Sequence, residues 1–280
     1  MRLSVIVSTY NQPAWLEKVL HGYAVQTDRD FELLVADDGS GPDTAAVVRR
    51  FQAELDFPLH HVWHEDRGYR RSLVLNRAAV RAAGDWLVFS DGDCVPRRDF
   101  VATHRHLADP GHFLSGGYIP LSPELSALLS ADDIRTGRAF ELRWLRALGL
   151  RPGRRALRLP RARSLATTFD TLTPTRPTFN LSNASLARTA LLATNGMEKE
   201  MRYGGADRAL GERLANLGFR GKQVRYRAVL LHLHHARPYR TRESIDHNRA
   251  IIRRIRERGE TRARDGIAEL EPDTTTHSAC

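Results

Sequence analysis

The sequence predicts an α/β fold in which a mostly parallel sheet is flanked by helices. Two observations carry this prediction. Short apolar segments alternate with segments of helical spacing over the first third of the chain, which is typical of βαβ units. Three clusters of polar residues also follow directly on predicted strands. Because open sheets of this kind bind ligands beyond the carboxyl ends of their strands, the clusters indicate a ligand site there.

The predicted elements of the first third alternate regularly between strand and helix. The strands are short and apolar; they are Leu3–Ser8, Phe31–Ala36, Leu59–His64 and Asp85–Ser90. The helices between them place apolar residues at helical spacing; they are Pro13–Val25, Pro42–Leu55 and Ser72–Ala83. Pro13 stands near the first helical position, where proline is favoured.

The pattern resumes beyond residue 178 and ends in a basic helix. The predicted elements there are an apolar alternation over Phe179–Leu186, a helix over Asp207–Leu217, a short strand over Ala228–His232 and a helix over Thr241–Arg258. Gly218 is a suitable C-cap for the first of these helices. The chain from about Thr261 is predicted to be frayed or disordered.

The composition is that of an ordinary globular protein, with 280 residues, 41% of them hydrophobic and 27% charged. The chain has no run of about 18 apolar residues, so a membrane-spanning helix is not expected. The apolar run after Met1 lacks the length and cleavage site of a signal peptide, which predicts a cytoplasmic protein. The two cysteines, Cys94 and Cys280, are too few for a disulfide framework.

Positive charge is concentrated in one segment. The net charge is +10, and Arg135–Arg163 holds ten arginines and a single acid, Glu141. This basic block lies within 120–178, a segment predicted to be an insertion or lid with one helical stretch near Ser126–Leu148. Three interpretations stay open: a solvated face, contact with an anionic membrane surface, or a grip on a phosphorylated acceptor. The last two are favoured.

The acidic pair Asp91 and Asp93 follows a strand that should be buried. The simple interpretation is a loop that contains two acids by chance. At the end of a buried strand, however, such a pair can bind a divalent ion such as Mg²⁺ or Mn²⁺, because these ions prefer oxygen ligands and share them with phosphates. Gly92, between the two acids, would let the backbone approach a ligand closely.

The other two clusters, Ser8-Thr9-Tyr10-Asn11 and Asp37-Asp38-Gly39-Ser40, would form a nucleotide-binding end. Tyr10 can stack on a base, and Asp38 can accept a hydrogen bond from a base or ribose. Taken alone, each cluster is equally well explained as a turn with ordinary caps. The chain contains neither GxGxxG nor GxxxxGK(S/T), which excludes a dinucleotide fingerprint and a P-loop.

Together these motifs resemble the nucleotide-sugar-dependent glycosyltransferases of family 2, which have the GT-A fold. The matching stretches are SVIVSTYN, DDGS, GYRRSLVLNRA and FSDGDC, within about Leu3–Asp99. A second portion, Asn180 to His235, resembles the galactosyltransferase-like members through FNLSNASLAR, YGGADRALGERL and LLHLHH. The resemblance implies a Rossmann-like half with a mostly parallel sheet, a smaller acceptor-binding half and a basic helical insertion.

The resemblance also implies roles for individual residues toward a nucleotide-sugar donor and a Mn²⁺ or Mg²⁺ ion. The donor would be held by Ser8, Thr9, Tyr10, Asp38, Asp91 and Arg70, with Arg71 as the alternative to Arg70. The metal would be held by Asp91, Asp93 and His232, with His234 as a rival to His232. Asp93 is the surer metal ligand of the two acids. An isolated histidine in a core is more often a satisfied polar group than a ligand.

Asp207 would match the aspartate of the family's Gly-Gly-Glu-Asp motif, which is the catalytic base. It also stands at the start of a predicted helix, where aspartate is a favoured cap, and the two roles do not exclude each other. The family's glutamate before this aspartate is Ala206 here. The identity of the acceptor therefore cannot be copied from the family.

The sequence thus predicts an inverting, metal-dependent hexosyltransferase that moves a sugar from a UDP-sugar to a hydroxyl of a glycan or lipid-linked acceptor. Through the family, the pathway would be surface-polysaccharide or lipopolysaccharide assembly, with possible peripheral contact at the inner face of the membrane. The predicted parts are a nucleotide-sugar half (1–119), the insertion (120–178), an acceptor half (179–240) and the C-terminal helix and tail (241–280).

Two other classes stay open. A sugar-phosphate nucleotidyltransferase would also use a Rossmann-like half and Mg²⁺, but it would carry a glycine-rich basic loop after the first strand, where this chain has STYNQPAW. A nucleic-acid-binding protein would interleave aromatics with its basic residues. The arginine block holds only Phe140 and Trp144, so no specific nucleic-acid partner is expected.

Overall fold

This computed structural model describes residues 1–151, 153–159, 163–236 and 241–271. The strands in these residues are β1 (Leu3–Thr9), β2 (Phe31–Asp37), β3 (Leu59–Trp63), β4 (Trp86–Asp91), β5 (Cys94–Pro96), β6 (His112–Ser115), β7 (Gly117–Pro120), β8 (Asn183–Ala187), β9 (Arg220–Gln223) and β10 (Val229–His232). The α-helices are α1 (Pro13–Ala24), α2 (Pro42–Glu54), α3 (Arg71–Arg81), α4 (Phe100–Leu107), α5 (Pro123–Leu128), α6 (Ala131–Thr136), α7 (Leu142–Ala147), α8 (Arg163–Leu172), α9 (Arg188–Ala193), α10 (Ala206–Asn216) and α11 (Arg242–Arg258).

Seven strands form the central sheet in the order β3-β2-β1-β4-β8-β6-β9, and β5, β10 and β7 form a second sheet. β1 lies between β2 and β4 and is parallel to both, whereas β8 joins β4 in the antiparallel sense. The register pairs Thr9 with Asp37 and Ser8 with Asp91. The predicted α/β fold is confirmed, and the three polar clusters meet at one edge of the sheet.

The core lies on both faces of the central sheet, because successive side chains of a strand point to opposite faces. All seven residues of β1 are buried. Val5 and Val7 belong to an apolar cluster that includes Leu16 of α1. Ile6, between them, belongs to a second cluster that includes Val74 of α3. Because its side chains alternate between the two faces, the fully buried strand β1 packs against helices on both sides of the sheet.

The predicted elements of the first third are all present, with ends displaced by at most two residues. The sequence reasoning missed the elements between Cys94 and Pro120, which are β5, α4, β6 and β7. Three of them are strands of three or four residues, too short to show a period. The predicted nucleotide-sugar and acceptor halves share one sheet, since β8 lies between β4 and β6.

The expected single helix near Ser126–Leu148 is wrong: α5, α6, a 3-10 helix at Arg138–Phe140 and α7 cover this stretch. Residues that favour the start or the end of a helix divide this stretch into short helices. Ser130 and Asp133 form a capping box at the start of α6. Gly137 ends α6 in the left-handed conformation, with φ of 82°.

Part of the basic block has structural partners. The Arg138 guanidinium pairs with Asp133 and lies 5.5 Å from the centre of the Trp144 ring. Arg158 donates a hydrogen bond of 2.5 Å to the backbone carbonyl of Tyr118. Arg138 therefore makes contacts within the insertion, and Arg158 connects the insertion to β7.

The expectation of fraying from Thr261 is wrong as far as residue 271, and residues 272–280 lie outside the described part. The Ala263 amide donates to the Thr194 carbonyl at 2.8 Å, and the Ile267 amide donates to Asn195 at 2.9 Å. The buried Glu198 carboxylate accepts hydrogen bonds from the amides of Arg264 and Asp265, at 3.1 and 2.9 Å. Backbone hydrogen bonds thus hold a polar segment that has no apolar period of its own. None of the described helices has the length and apolar character needed to cross a bilayer.

Candidate active site

A cavity of about 590 Å³ lies at the sheet edge where β1 and β4 end. Most of the residues that the sequence singles out line it, namely Ser8, Thr9, Tyr10, Asp38, Arg71, Asp91, Asp93, Asp207 and His232. Arg70 and His234 are absent from the lining. The cavity is of ordinary size for a ligand pocket and brings residues from both ends of the chain to one space.

Asp91 is held by three side chains. Its Oδ1 accepts a hydrogen bond of 2.8 Å from the Ser8 hydroxyl and pairs with the Arg71 guanidinium, while its Oδ2 accepts one of 2.8 Å from Ser182. Burial opposes ionisation, but the Arg71 charge and the two hydroxyls outweigh it, so the pKa of Asp91 is lowered. Asp91 is therefore a fixed carboxylate that is already paired with a cation.

Asp93 faces two histidines. Its Oδ2 lies 3.1 Å from Nε2 of His235, and its Oδ1 lies 3.9 Å from Nε2 of His232. The two imidazole rings are stacked with their centres 5.4 Å apart. Burial, and then the nearby Asp91 charge, raise the pKa of the Asp93 carboxyl. Carboxylate oxygens suit Mg²⁺ and Mn²⁺, and imidazole nitrogens are common ligands of transition-metal ions, so these three side chains are candidate metal ligands.

Cys94 is the third group near Asp93. The Asp93 carboxylate, the Cys94 sulfur and an imidazole nitrogen of His232 lie within 4.8 Å of one another. The thiol donates a hydrogen bond of 3.4 Å to Asp93 Oδ1, and burial raises its pKa well above the usual range. Because Mg²⁺ and Mn²⁺ prefer oxygen ligands to soft sulfur ligands, the Asp93 carboxylate is the group of this set that best fits such an ion.

The polar groups at the other end of the cavity have defined partners. Asp38 Oδ1 lies 2.9 Å from His64 Nε2, and its Oδ2 accepts a hydrogen bond of 3.0 Å from the Arg70 amide. The Tyr10 hydroxyl donates a hydrogen bond of 2.8 Å to Asp66 Oδ2. These contacts fix Tyr10 and Asp38 in place beside Ser8 and Thr9 before any ligand binds.

Asp207 stands in the first turn of α10 and lines the cavity. Its Oδ1 accepts a hydrogen bond of 2.8 Å from the amide of Arg208, so it satisfies one of the free N–H groups at the helix start. Burial raises the pKa of the Asp207 carboxyl, against the opposing effects of that hydrogen bond and of Arg71. The same carboxylate therefore serves as a helix-end acceptor and faces the cavity.

The loop before Asp207 is fixed by a side chain of α11. Asn248 is 3% exposed. Its Oδ1 accepts a hydrogen bond of 3.0 Å from the Arg202 amide, and its Nδ2 donates to the carbonyls of Arg202 at 3.0 Å, Tyr203 at 3.2 Å and Gly204. Gly204 and Gly205 have φ of 81° and 111°, where side chains other than glycine are strained. One amide thus holds the turn that aims Asp207.

Two predicted site residues point elsewhere. The Arg70 guanidinium donates to the Glu65 carbonyl, and its backbone precedes α3. His234 contributes its backbone, since its amide donates to the Ser126 hydroxyl at 2.8 Å and its carbonyl accepts 3.1 Å from Trp15. Arg71, the expected alternative to Arg70, lines the cavity in its place. His232 lines the cavity, and its neighbour there is His235 rather than His234.

Sequence reasoning missed several lining residues. They are His235, Ser182, Tyr69, Tyr118, Tyr203 and Asn248, among others. His235 belongs to the same LHLHH stretch as His232, so that motif could have included it. No local signal marks Ser182 or Asn248, because β8 and α11 reach the cavity only through the tertiary structure.

Comparisons with known proteins identify a family and a fold to which the chain is similar. Residues 4–112 match the family model described as glycosyl transferase family 2. The validoxylamine A glucosyltransferase of Streptomyces hygroscopicus subsp. jinggangensis is 31% identical over 224 residues, which cover 76% of this chain and 51% of that protein. The chain spans about half the length of the curated relatives that it matches first.

Solved structures share the fold. The mannosyltransferase PcManGT from Pyrobaculum calidifontis, in complex with GDP-Man and Mn²⁺, has a TM-score of 0.57 and 25% identity, covering 85% of this chain and 58% of that chain. S. aureus TarS 1-349 in complex with UDP-GlcNAc has a TM-score of 0.59 and 16% identity, covering 90% of this chain and 65% of that chain. The second likeness shows the fold alone.

The sheet order and the solved relatives define the fold as that of the GT-A glycosyltransferases. Residues 4–112 form a glycosyl transferase family 2 domain. This assignment sets aside the nucleotidyltransferase alternative. The likeness of the second half to galactosyltransferases stays a prediction.

Proposed function

We propose that the chain transfers a sugar from a nucleotide sugar, a UDP-sugar in the first instance, to a hydroxyl group of a glycan or lipid-linked acceptor. The observation that carries this proposal is that Asp93 and Asp207 line one cavity. Asp93 stands among metal-ligand groups, whereas Asp207 stands apart from them in the first turn of α10. Carboxylates in different environments are typical of a site that divides its acid–base and binding roles.

The donor end is formed by Ser8, Thr9, Tyr10 and Asp38, which would hold the nucleoside, and by Arg71, which would face the pyrophosphate. The mannosyltransferase structure contains GDP-Man, which supports a nucleotide sugar as donor. Its nucleotide is GDP, so UDP and GDP are both tested below.

A divalent ion, Mn²⁺ or Mg²⁺, would be held by Asp93, His232 and His235. When bound, such an ion stabilises the negative charge that develops on a leaving diphosphate. Mn²⁺ is present in the mannosyltransferase structure, which supports this ion class. Asp91, which was also a metal candidate, is paired with Arg71; we propose that it holds Arg71 and the donor rather than the ion.

Asp207 would be the general base. In a single displacement, the acceptor oxygen attacks the anomeric carbon while the nucleoside diphosphate leaves from the opposite face, and the acceptor's hydroxyl proton passes to Asp207. The configuration at the anomeric carbon is inverted. A carboxylate with a raised pKa is a better base than an exposed one, provided that it is still ionised at the working pH.

The acceptor is less constrained than the donor. Assembly of surface polysaccharide or lipopolysaccharide, with peripheral contact at a membrane through the basic block, would fit a lipid-linked acceptor. One relative is named a validoxylamine A glucosyltransferase, so transfer to validoxylamine A is the competing outcome. We expect no specific nucleic-acid partner.

Calorimetric titration with UDP, with and without Mn²⁺, tests the donor and metal proposals. We expect metal-dependent binding that Asp93→Ala removes. Cys94→Ala is the matched control, because this neighbouring thiol is not proposed as a ligand, and it should keep metal-dependent binding.

Each other outcome has a defined meaning. Binding of GDP or dTDP in place of UDP would keep the enzyme class and change the donor. Equal nucleotide binding by wild type and Asp93→Ala would contradict the metal role. Failure of all three nucleotides to bind would overturn the proposed function.

A further inference from the structure

A second cavity, of about 290 Å³, lies beside the first. It is formed by α10, by the segment before β8, by β9 and by Arg256 of α11. Arg208 lines both cavities. The residue that follows the proposed base therefore stands where the two spaces adjoin.

The second cavity is strongly basic. Four arginines line it, Arg176, Arg208, Arg220 and Arg256, against one acid, Glu212. The Arg256 guanidinium pairs with Glu212, and this hydrogen bond, with the nearby charges of Arg176 and Arg208, lowers the pKa of the Glu212 carboxyl. Within the described residues, Arg176, Arg208 and Arg220 form no ion pair, so the lining keeps an excess positive charge of +3.

The cavity is also lined by apolar side chains, which form its floor. Phe113 and Phe179 are buried and their rings meet edge to face with centres 5.6 Å apart. Phe219 and Pro177 complete the apolar surface. An apolar floor with a few charged groups at its rim is typical of a site that orients a small ligand, whereas a solvated basic face has neither a floor nor a concave shape.

We propose that this cavity binds an oxyanion of the acceptor, a phosphate or carboxylate group, while the acceptor's hydroxyl lies in the main cavity near Asp207. This inference rests on the proposed function, because it takes Asp207 as the base. Guanidinium groups match the geometry of phosphate and carboxylate oxygens and bind them by paired, charge-assisted hydrogen bonds. Arg208, beside Asp207, would be the link that sets the distance between the reacting hydroxyl and the anionic group.

The test uses three sugars that differ in charge: glucose, glucuronate and glucose 6-phosphate. Each is titrated by calorimetry into the full chain saturated with the nucleotide that it binds, at low salt. We expect an anionic sugar to bind more tightly than glucose. The double variant Arg176→Gln, Arg220→Gln should weaken that binding by at least about tenfold. The stronger of the two anionic probes identifies the group as phosphate or carboxylate.

Arg49→Gln is the matched control, because Arg49 is an exposed arginine of α2 that lines neither cavity. It should leave all three affinities unchanged. The proposal is overturned if anionic sugars bind no better than glucose, or if the double variant binds them as well as wild type does. Failure of the proposed function is distinguishable: no nucleotide would bind, while anion binding would still depend on Arg176 and Arg220.

Discussion

The hydroxyl of Ser182 donates a hydrogen bond of 2.8 Å to the carboxylate of Asp91, from a residue 91 positions away in the chain. The same carboxylate pairs with Arg71. Asp91 is thus joined to the residue just before β8 on one side and to the first residue of α3 on the other. Residues that line the cavity and nearby residues that do not line it can therefore be compared as pairs of variants.

Arg71 and Arg70 form a matched pair of variants. Arg71→Ala removes the partner of a largely buried carboxylate, and breaking such a pair costs about 3–5 kcal/mol when both groups are fully buried. Because Arg71 and Asp91 are 27% and 19% exposed, we expect a smaller loss of stability, about 1–3 kcal/mol, and a loss of nucleotide affinity. Calorimetry and urea unfolding measure the two effects.

Arg70→Ala is the control, since the Arg70 guanidinium contacts the Glu65 carbonyl outside the cavity. Nucleotide affinity should change little, because the amide that donates to Asp38 is retained. Equal losses of nucleotide affinity in the two variants would contradict the assignment of Arg71 to the donor site.

Asp207→Asn should abolish transfer while sparing donor binding. The amide side chain keeps the size of the carboxylate and an oxygen that can accept the Arg208 hydrogen bond, but it cannot take a proton. General base catalysis contributes about 10²–10⁴-fold, so turnover should fall by that factor. Transfer rate and nucleotide affinity are measured on the same preparation. Near-normal turnover would mean that Asp207 serves only the helix end.

The acid side of the pH–rate profile provides an independent test of Asp207. Burial raises the pKa of its carboxyl, and only the ionised form can accept the proton. The transfer rate should therefore fall as the pH drops through this raised pKa, at a higher pH than for an ordinary aspartate. Nucleotide affinity, measured over the same pH range, separates this effect from donor binding.

Asn248→Ala should lower the transfer rate through the loop rather than through the donor. The variant loses the hydrogen bonds to the backbone of Arg202, Tyr203 and Gly204. The Asp207 carboxylate is then held less firmly in its position in the cavity. We expect a fall in kcat of about tenfold or more, because small misplacements of a catalytic group are costly, with donor affinity retained.

Asn216→Ala is the comparison for that variant. Asn216 also connects α10 to the α11 region, through hydrogen bonds of 3.2 and 2.9 Å to the carbonyls of Ile255 and Glu260, but it does not line the cavity. It should lose stability and keep kcat. A parallel fall in kcat for both variants would show that loop position is not what Asn248 controls.

The buried His104 should make the stability of the fold sensitive to acid. It is fully buried between the Ser185 hydroxyl at 2.8 Å and Asn183 Oδ1 at 3.2 Å. Burial lowers the pKa of His104 from 6.5 to about 4, so the unfolded chain binds its proton at higher pH than the folded chain does. The neutral ring therefore makes its full contribution to the free energy of unfolding above pH 6.5, and this contribution is lost as the pH falls toward 4.

The loss should be on the order of 3 kcal/mol of unfolding free energy. Urea unfolding of wild type and His104→Gln at a series of pH values measures it as a difference in slope between pH 6.5 and 4. Other groups contribute equally to both curves. Parallel curves would show that His104 is not the source of acid sensitivity.

The primary structure was sufficient for the framework of the site. The apolar runs of β1, β2 and β4 are complete within a few residues each, and each run ends in its polar cluster. Since parallel neighbours end at the same edge, local pattern alone placed Ser8, Asp38, Asp91 and Asp93 together. These relations depend on the apolar character and the end of each strand, and a run of about seven residues is long enough to show both.

The choice among adjacent residues came only from the tertiary structure. α3 begins at Arg71, and successive helical side chains point in different directions, so one arginine enters the cavity and its neighbour does not. β10 ends at His232, and beyond a strand end alternation no longer says which histidine faces Asp93. Ser182 and Asn248 reach the cavity because β8 inserts antiparallel beside β4 and α11 packs on α10. Such long-range packing has no period in the sequence, and it decides which carboxylate is paired with arginine and which faces the histidines.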